Sequence, residues 1–315
     1  MKAVAIASFG GIEKLQIIDL PIPTEMDNEV LIRIAYTAVN PVDWKIREGY
    51  FNGKLPHEFP LIPGWDAAGT IERIGKNVKI LKKGDEVFAY CRKPLIKWGT
   101  YADYITFDAD HVAKKPENIT FAQAAAIPLA GLTAWQALFD AARLRNKETI
   151  LIHAGAGGVG GLAIQFAKIA GAEVIATASK NNHAYVKKLG ADHVIDYHDD
   201  LQNKVKGIYP EGVDVVFDTV GGETLRKSLL LLKPHGRLIS IVEQLDQEIA
   251  AKHNVMFTWI FVSPNGSQLN QISNLISQGK VLPPNILEMP LMDAAKAQEK
   301  NRERHVQGKI VLRVN

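Results

Sequence analysis

Glu148–Gly171, ETILIHAGAGGVGGLAIQFAKIAG, is the stretch that decides the fold. Thr149–Ala154 is an apolar run that reads as a buried strand, and it leads directly into Gly155-Ala156-Gly157-Gly158-Val159-Gly160. From Val159 to Ala170 the apolar residues recur at helical spacing. A strand, a Gly-x-Gly-x-x-Gly turn and a helix in that order are the context a dinucleotide fingerprint requires. Gly155 permits the tight turn, Gly157 lets the backbone approach a pyrophosphate, and Gly160 lets helix and strand pack closely. The unpaired N–H groups at that helix start, those of Gly158 and Val159 among them, then face the phosphates with the positive end of the helix dipole.

Outward from this turn, strands and helices alternate. Toward the C-terminus the pattern predicts strands over Glu173–Ala178, His193–Asp196, Val213–Thr219, Arg237–Val242 and Val255–Val262, with helices between them. Toward the N-terminus it predicts helices over Phe121–Leu129 and Thr133–Ala142. Repeated βα units joined by right-handed crossovers make an α/β, doubly wound Rossmann domain with a six-stranded parallel sheet. Before residue 120 the chain has another character. Short runs such as Lys2–Ala7, Val30–Val39, Ala67–Ile74 and Glu86–Tyr90 are separated by Gly, Pro, Asn and Asp, and several alternate in polarity as half-buried antiparallel strands do. The expected domains are therefore a β-rich one over 1–120, completed by 281–315 through the apolar strand Lys309–Val314, and a dinucleotide domain over 121–280.

Composition narrows the function. The 315 residues carry 37 Lys and Arg against 34 Asp and Glu, a net charge of +3, with no basic run interleaved with aromatics. That argues against a nucleic-acid partner. No apolar stretch approaches the roughly 20 residues of a membrane helix, and the apolar run after Lys2 stops at Ser8, too short for a secretory signal. The single cysteine, Cys91, excludes an intrachain disulfide and any multi-cysteine zinc site, which points to a reducing, cytoplasmic setting.

The second strand of the nucleotide domain distinguishes cofactor forms. An NAD-type site places a carboxylate on the ribose 2′-hydroxyl about 20 residues past the glycines. Here the strand ends Val174-Ile-Ala-Thr-Ala-Ser179-Lys180-Asn181, and no carboxylate follows along the chain until Asp192. Ser179 and Lys180 are suited to hydrogen-bond and neutralise a 2′-phosphate, so the expected cofactor is NADPH; the bland alternative is that Lys180 caps an exposed loop.

Taken together the chain resembles the medium-chain dehydrogenase/reductase superfamily, in its zinc-independent quinone oxidoreductase branch. The residues that carry the resemblance are Ala38-Val-Asn-Pro-Val-Asp43, Pro63-Gly-Trp-Asp-Ala-Ala-Gly-Thr70, Lys83-Gly-Asp-Glu-Val-Phe88, Gly131-Leu-Thr-Ala-Trp-Gln136, Leu189-Gly-Ala-Asp192 and Gly308-Lys-Ile-Val-Leu312, with the glycine turn. It implies that the β-rich domain is a GroES-like barrel and that the active site lies in the cleft between the domains. Zinc-dependent relatives have a ligand Cys where this chain reads Asn40-Pro41-Val42 and a Gly-His-Glu motif where it reads Gly64-Trp65-Asp66, and Trp65 cannot ligate zinc. The resemblance implies hydride transfer to a small electrophilic acceptor, a quinone or enone. The alternatives are a reductase of enones, alkenals or enoyl thioesters, and a non-catalytic NADPH-binding protein.

The resemblance also assigns individual residues. Asn40 would lie near the nicotinamide, or else form an Asx turn before Pro41. Asp43 shares that motif or caps the following helix. Thr133 would contact the nicotinamide or be a satisfied helical hydroxyl, and Tyr50 matches a pocket-lining tyrosine, although Lys45 stands where relatives have a further aromatic. Tyr197 lines the adenosine phosphate pocket or is a surface tyrosine. His153 packs under the glycine turn, and Lys309 either reaches the cleft or forms a salt bridge inside the barrel. The apolar strand Val255–Val262 is one that relatives pair across a two-fold axis, which implies a homodimer; the alternative is that the chain's own helices cover it.

Overall fold

A computed structural model of the chain describes residues 1–314. It divides into two compact units. The first comprises Met1–Leu129, Ser263–Gly279 and the stretch from Pro283 onward; the second comprises Ala130–Val262 with Lys280–Leu282.

The first unit opens with strands β1 (Lys2–Ala5), β2 (Gln16–Asp19) and β3 (Glu29–Val39), followed by helix α1 (Pro41–Arg47). Strands β4 (Asp66–Ile74), β5 (Glu86–Tyr90), β6 (Tyr104–Asp108) and β7 (Val112–Lys114) follow, then helix α2 (Phe121–Ala125). Asn40-Pro41 starts α1 where the extended chain meets a proline preset for the first helical turn. Helix α3 (Pro128–Trp135) starts at a proline too, so the expected helix Phe121–Leu129 is split. Beyond Trp135 the backbone continues as a π-helical segment, Gln136–Ala141.

The second unit then alternates β8 (Thr149–Ile152), α4 (Gly158–Ile169), β9 (Glu173–Thr177), α5 (His183–Lys188), β10 (His193–Ile195) and α6 (Leu201–Ile208). It closes with β11 (Val213–Asp218), α7 (Gly222–Ser228), β12 (Leu232–Ser240), α8 (Gln247–Lys252) and β13 (Met256–Trp259). The strands lie in the order β10-β9-β8-β11-β12-β13, all parallel. That is the doubly wound Rossmann order, whose reversal between β8 and β11 makes a ligand crevice at the strand ends. All four residues of β8 are buried, and Leu151 sits between Ile175 and Val216 in register. Covering on both faces explains why this strand reads as a continuous apolar run.

The chain returns to the first unit through α9 (Gly266–Ser277), β14 (Ile286–Pro290), α10 (Ala294–Arg302) and β15 (Lys309–Arg313). The sheet runs β14-β15-β3-β4-β5-β7, with β6 also on β3. Every pairing is antiparallel except β14 with β15. The apolar tail thus finds its sheet partner: Ile310 faces Val39 across β15 and β3.

Two sequence expectations need correction. The boundaries at 120/121 and 280/281 are wrong for α2 and for the segment around α9, which belong to the first unit. Ser273 Oγ donates to Lys114 O at 2.9 Å and Asn118 Nδ2 donates to Ile276 O at 3.0 Å, while a Cβ on Gly266 would stand 2.1 Å from Asp110 O. Helix α9 is thus bonded to the β-rich sheet although it follows the last Rossmann strand in sequence. The strand expected over Val255–Val262 is ordered only over Met256–Trp259. Ser240, opposite Trp259, is the last residue of β12, so beyond one bond from Ile260 N to Ser240 O nothing remains to pair with.

Candidate functional site

In the second unit the glycine turn follows β8. The chain passes through Ala154 at φ +50°, and Gly155 N donates to Thr177 O at 2.8 Å. The three fingerprint glycines do different work. A Cβ on Gly155 would come within 2.9 Å of Ala176 Cβ, and one on Gly160 within 2.3 Å of Ala154 O, so strand and helix approach too closely for any side chain. A Cβ on Gly157 would meet only Ala154 O, at 3.3 Å. That position is the N-cap of the 12-residue helix α4. Its space is what a pyrophosphate requires beside the first-turn amides of Gly158, Val159 and Gly160, which lack helical acceptors. The turn fits a dinucleotide.

His153 lies under this turn, buried. Ser228 Oγ donates to Thr224 O at 2.7 Å, so its lone pair accepts His153 Nε2–H at 2.9 Å. Burial lowers the imidazole to about 4, so it is neutral and structural at ordinary pH.

The carboxyl ends of β9 and β10 lie side by side, with Ile195 beside Thr177 and Ala178 N donating to Ile195 O at 3.1 Å. This register brings Ser179, Lys180 and Tyr197 to one edge of the sheet. Ser179 Oγ accepts Asn182 Nδ2 at 3.1 Å, and among the described residues the Lys180 ammonium forms no ion pair. Tyr197 is 52% exposed. The register also brings up a carboxylate that reading along the chain overlooked: Asp196 Oδ2 accepts Lys180 N at 3.2 Å. Its signal was the parallel register, because a residue on the third strand can reach the second-strand loop.

In the first unit the structure gathers Asn40, Asp43, Asp66, Tyr101 and Lys309, all buried. Pairing of β15 with β3 sets Lys309 beside Asn40, and Asp66 begins the neighbouring strand β4. Lys309 Nζ donates to Asn40 Oδ1 and, at 3.1 Å, to Val39 O, and it lies 3.7 Å from Asp66. Asn40 Nδ2 donates to Asp66 Oδ2 at 2.8 Å, while Asp66 Oδ1 accepts Leu129 N at 2.7 Å at the start of α3. Asp43, in the first turn of α1, accepts Asn40 N at 2.8 Å and Tyr101 OH at 3.0 Å through Oδ2, and its Oδ1 has no partner. Desolvation pushes Asp43 up to about 7. Burial also raises Asp66, opposed by the charge of Lys309, and it lowers Lys309 against the pull of the two carboxyls.

Tyr50 is 54% exposed, its ring edge-on to Trp44 at 5.8 Å. Thr133 is buried on α3, in the second unit. The Lys309 alternatives resolve to the barrel salt bridge. Asp43 is both part of the motif and the acceptor for the helix-start amide. Tyr101 was missed in sequence, since nothing local in Gly99-Thr-Tyr-Ala102 announces a partner 58 positions away. Among the described residues no three His, Cys, Asp or Glu side chains converge as a metal-binding group.

Comparison with known proteins agrees with this architecture. Residues 26–117 match the family model of the alcohol dehydrogenase GroES-like domain, and residues 189–312 match that of the zinc-binding dehydrogenases. The chain is 33% identical to a chloroplast envelope quinone oxidoreductase homolog of Arabidopsis thaliana, over 99% of this chain and 98% of that protein. It is 34% identical to an NADPH-dependent alkenal/one oxidoreductase of the same plant, over 99% of this chain and 79% of that protein. The structure of Escherichia coli quinone oxidoreductase complexed with NADPH superposes with a TM-score of 0.90 at 29% identity, covering 100% of both chains. The first unit is thus GroES-like, the second is a Rossmann domain for a nicotinamide cofactor, and the protein is an oxidoreductase. The chain belongs to the medium-chain dehydrogenase/reductase superfamily, in its quinone oxidoreductase branch.

Proposed function

We propose that this protein is an NADPH-dependent, zinc-free reductase of quinones or activated double bonds. The observation that carries the reading is the Asn40–Asp66–Lys309 cluster. The two sequence motifs in which zinc-dependent relatives hold their metal are joined here by the bond from Asn40 Nδ2 to Asp66 Oδ2, and the ammonium of Lys309 supplies the positive charge among them. An ammonium donates hydrogen bonds but offers no coordination position to a carbonyl oxygen. The acceptor must then be electron-poor in its own right, with the hydride supplied by the nicotinamide. Quinones and α,β-unsaturated carbonyls meet that condition, because the product anion is delocalised and water can protonate it.

In this reading the backbone of Gly155, Gly157, Gly158, Val159 and Gly160 holds the pyrophosphate, and Ser179, Lys180 and Tyr197 hold the 2′-phosphate. Asn40 and Thr133 approach the nicotinamide, and Tyr50 lines the path of the acceptor. Asn40 does so mainly as a fixed element, since its Oδ1 and an Nδ2 proton are already engaged with Lys309 and Asp66. The Arabidopsis alkenal/one oxidoreductase favours double-bond acceptors as a second reading. Two copies pair through the edge strand β13, and the single buried thiol of Cys91 suits a reducing cytoplasm.

The test is NADPH oxidation followed with a panel of quinones, enones, an enoyl thioester and simple ketones, using stereospecifically deuterated NADPH. A primary deuterium isotope effect on quinone reduction, or deuterium retained on carbon in a reduced enone, each unaffected by chelators, is expected. Turnover of simple ketones that a chelator abolishes would sink the zinc-free reading, and silence across the panel would sink the reductase reading.

A further inference from the structure

Beside the proposed 2′-phosphate residues sits an aspartate–histidine pair with no part in the fold's core. Asp196 Oδ1 accepts the backbone N–H of His198 at 3.0 Å and the ring Nδ1 at 2.8 Å, while Oδ2 accepts Lys180 N at 3.2 Å. A carboxylate only accepts, so Nδ1 carries a proton and Nε2 is the nitrogen left to gain or lose one. The His198 side chain is 71% exposed, and its ring lies 4.2 Å from that of Tyr197. The His198 backbone amide and then its ring hold the Asp196 carboxyl below the usual carboxylate range, so it is ionised at neutral pH.

An ionised Asp196 opposes a 2′-phosphate bound to Lys180, and it offers a hydrogen-bond acceptor to a free 2′-hydroxyl. An imidazolium on the same carboxylate cancels its charge. We propose that the Asp196–His198 pair sets the choice between NADPH and NADH. With His198 protonated, the Lys180 cation is left to the 2′-phosphate; with His198 neutral, the carboxylate discriminates against it. This rests on the reading that Ser179, Lys180 and Tyr197 hold the 2′-phosphate. Histidine side chains as a class change charge between about pH 5 and 8, so binding compared on either side of that range tests the pair. The other titratable groups on these loops and the adjoining helix starts are Lys180 and His183 after β9, and Tyr197, Asp199 and Asp200 after β10. His183 Nε2 lies 3.2 Å from Ala178 O, and Asp200 caps α6 through Asn203 N at 3.1 Å. The two aspartates add negative charge on the Asp196 side, which strengthens the discrimination once His198 is neutral.

The test is equilibrium binding without turnover. Dissociation constants of NADPH and NADH are read from nucleotide fluorescence at pH 6 and pH 8.5, for the wild type and for His198→Gln, Asp196→Asn and Lys180→Ala. His198→Gln removes that imidazole and leaves every other titrating group, the phosphate included. Relative to it, the wild-type preference for NADPH is expected to fall about three- to tenfold as pH rises, the effect of one charge several ångströms away near the surface. Asp196→Asn is expected to raise that preference about tenfold at pH 8.5, and Lys180→Ala to weaken NADPH binding tenfold or more, about the 1.5–3 kcal/mol of a charged hydrogen bond. If Lys180→Ala abolishes the preference while Asp196→Asn and His198→Gln leave it within about twofold, this inference falls and the site assignment survives. If Lys180→Ala also leaves the preference unchanged, the 2′-phosphate is held elsewhere and both fall.

Discussion

Truncating Lys309 to Met would leave the Asp66 carboxylate buried with its counter-charge removed. Stranding one partner of a buried pair costs about 3–5 kcal/mol, whereas replacing both with apolar groups can be nearly neutral. Lys309→Met alone is therefore expected to destabilise strongly, and the double variant Asp66→Asn/Lys309→Met, which removes both charges and keeps an acceptor oxygen for Leu129 N, to recover much of that loss. Guanidinium unfolding measures both, and simple additivity of the two single variants would refute the coupling. Asp43 adds a pH dependence. Its carboxyl is raised from an ordinary 3.8 to about 7 in the fold, chiefly by desolvation. Between those values the folded state binds a proton that the unfolded chain has lost. The stability from this group is thus full below about pH 4 and is lost as pH rises through about 7. Asp43→Asn should flatten the fall in unfolding midpoint between pH 5 and 8; an unchanged slope would show that other groups cause it. Lys309 had two readings in the sequence because a lysine in Gly-Lys-Ile-Val looks the same in either role. Only pairing of β15 with β3 shows its ammonium turned inward.

The strand–turn–helix element was legible from its own residues because its constraints are local. Gly155, Gly157 and Gly160 lie within six positions, and their spacing alone assigns them roles. Coordinates then separate those roles. Gly160→Ala puts a Cβ 2.3 Å from the Ala154 carbonyl, which has nowhere to move. It should lower stability by about 1–3 kcal/mol, the usual cost of overpacking, and weaken NADPH binding as well. Gly157→Ala meets only Ala154 O at 3.3 Å, so it should leave thermal unfolding nearly unchanged yet reduce nucleotide affinity tenfold or more. Equal effects of the two substitutions on melting would contradict this division. The weaker elements were less legible. Strand β14 has an exposed, mixed pattern and helix α10 is largely polar, so neither announces itself by periodicity. Strand β7 spans only three residues. Helix α9 was recognised as a helix, but its allegiance is set by bonds to Lys114 and Asn118, about 160 positions away.

For the whole molecule, the proposed pairing of two copies turns on β13. Ile260 N donates inward to Ser240 O, so the alternation along the strand points the N–H of Trp259 away from β12. Trp259→Pro removes that outward donor while sparing the ladder to β12. Sedimentation should then report a dimer for the wild type and a monomer for the variant; a dimer unaffected by the proline would place the interface elsewhere. By itself the sequence determined the Rossmann unit, its six parallel strands and the glycine cradle, because alternating apolar runs and short-range glycine spacing encode them. With the resemblance to zinc-dependent relatives it also set Asn40-Pro41-Val42 and Gly64-Trp65-Asp66 where those relatives have a ligand Cys and a Gly-His-Glu motif. Only the tertiary structure decided that Lys309 joins Asn40 and Asp66 in the first unit, that Asp196 reaches the Lys180 loop, and that α9 belongs to the β-rich unit. Each of these rests on strand register or packing between residues distant in the chain. Such contacts form when buried groups find partners in the collapsed molecule, and no local pattern records which partner each will find.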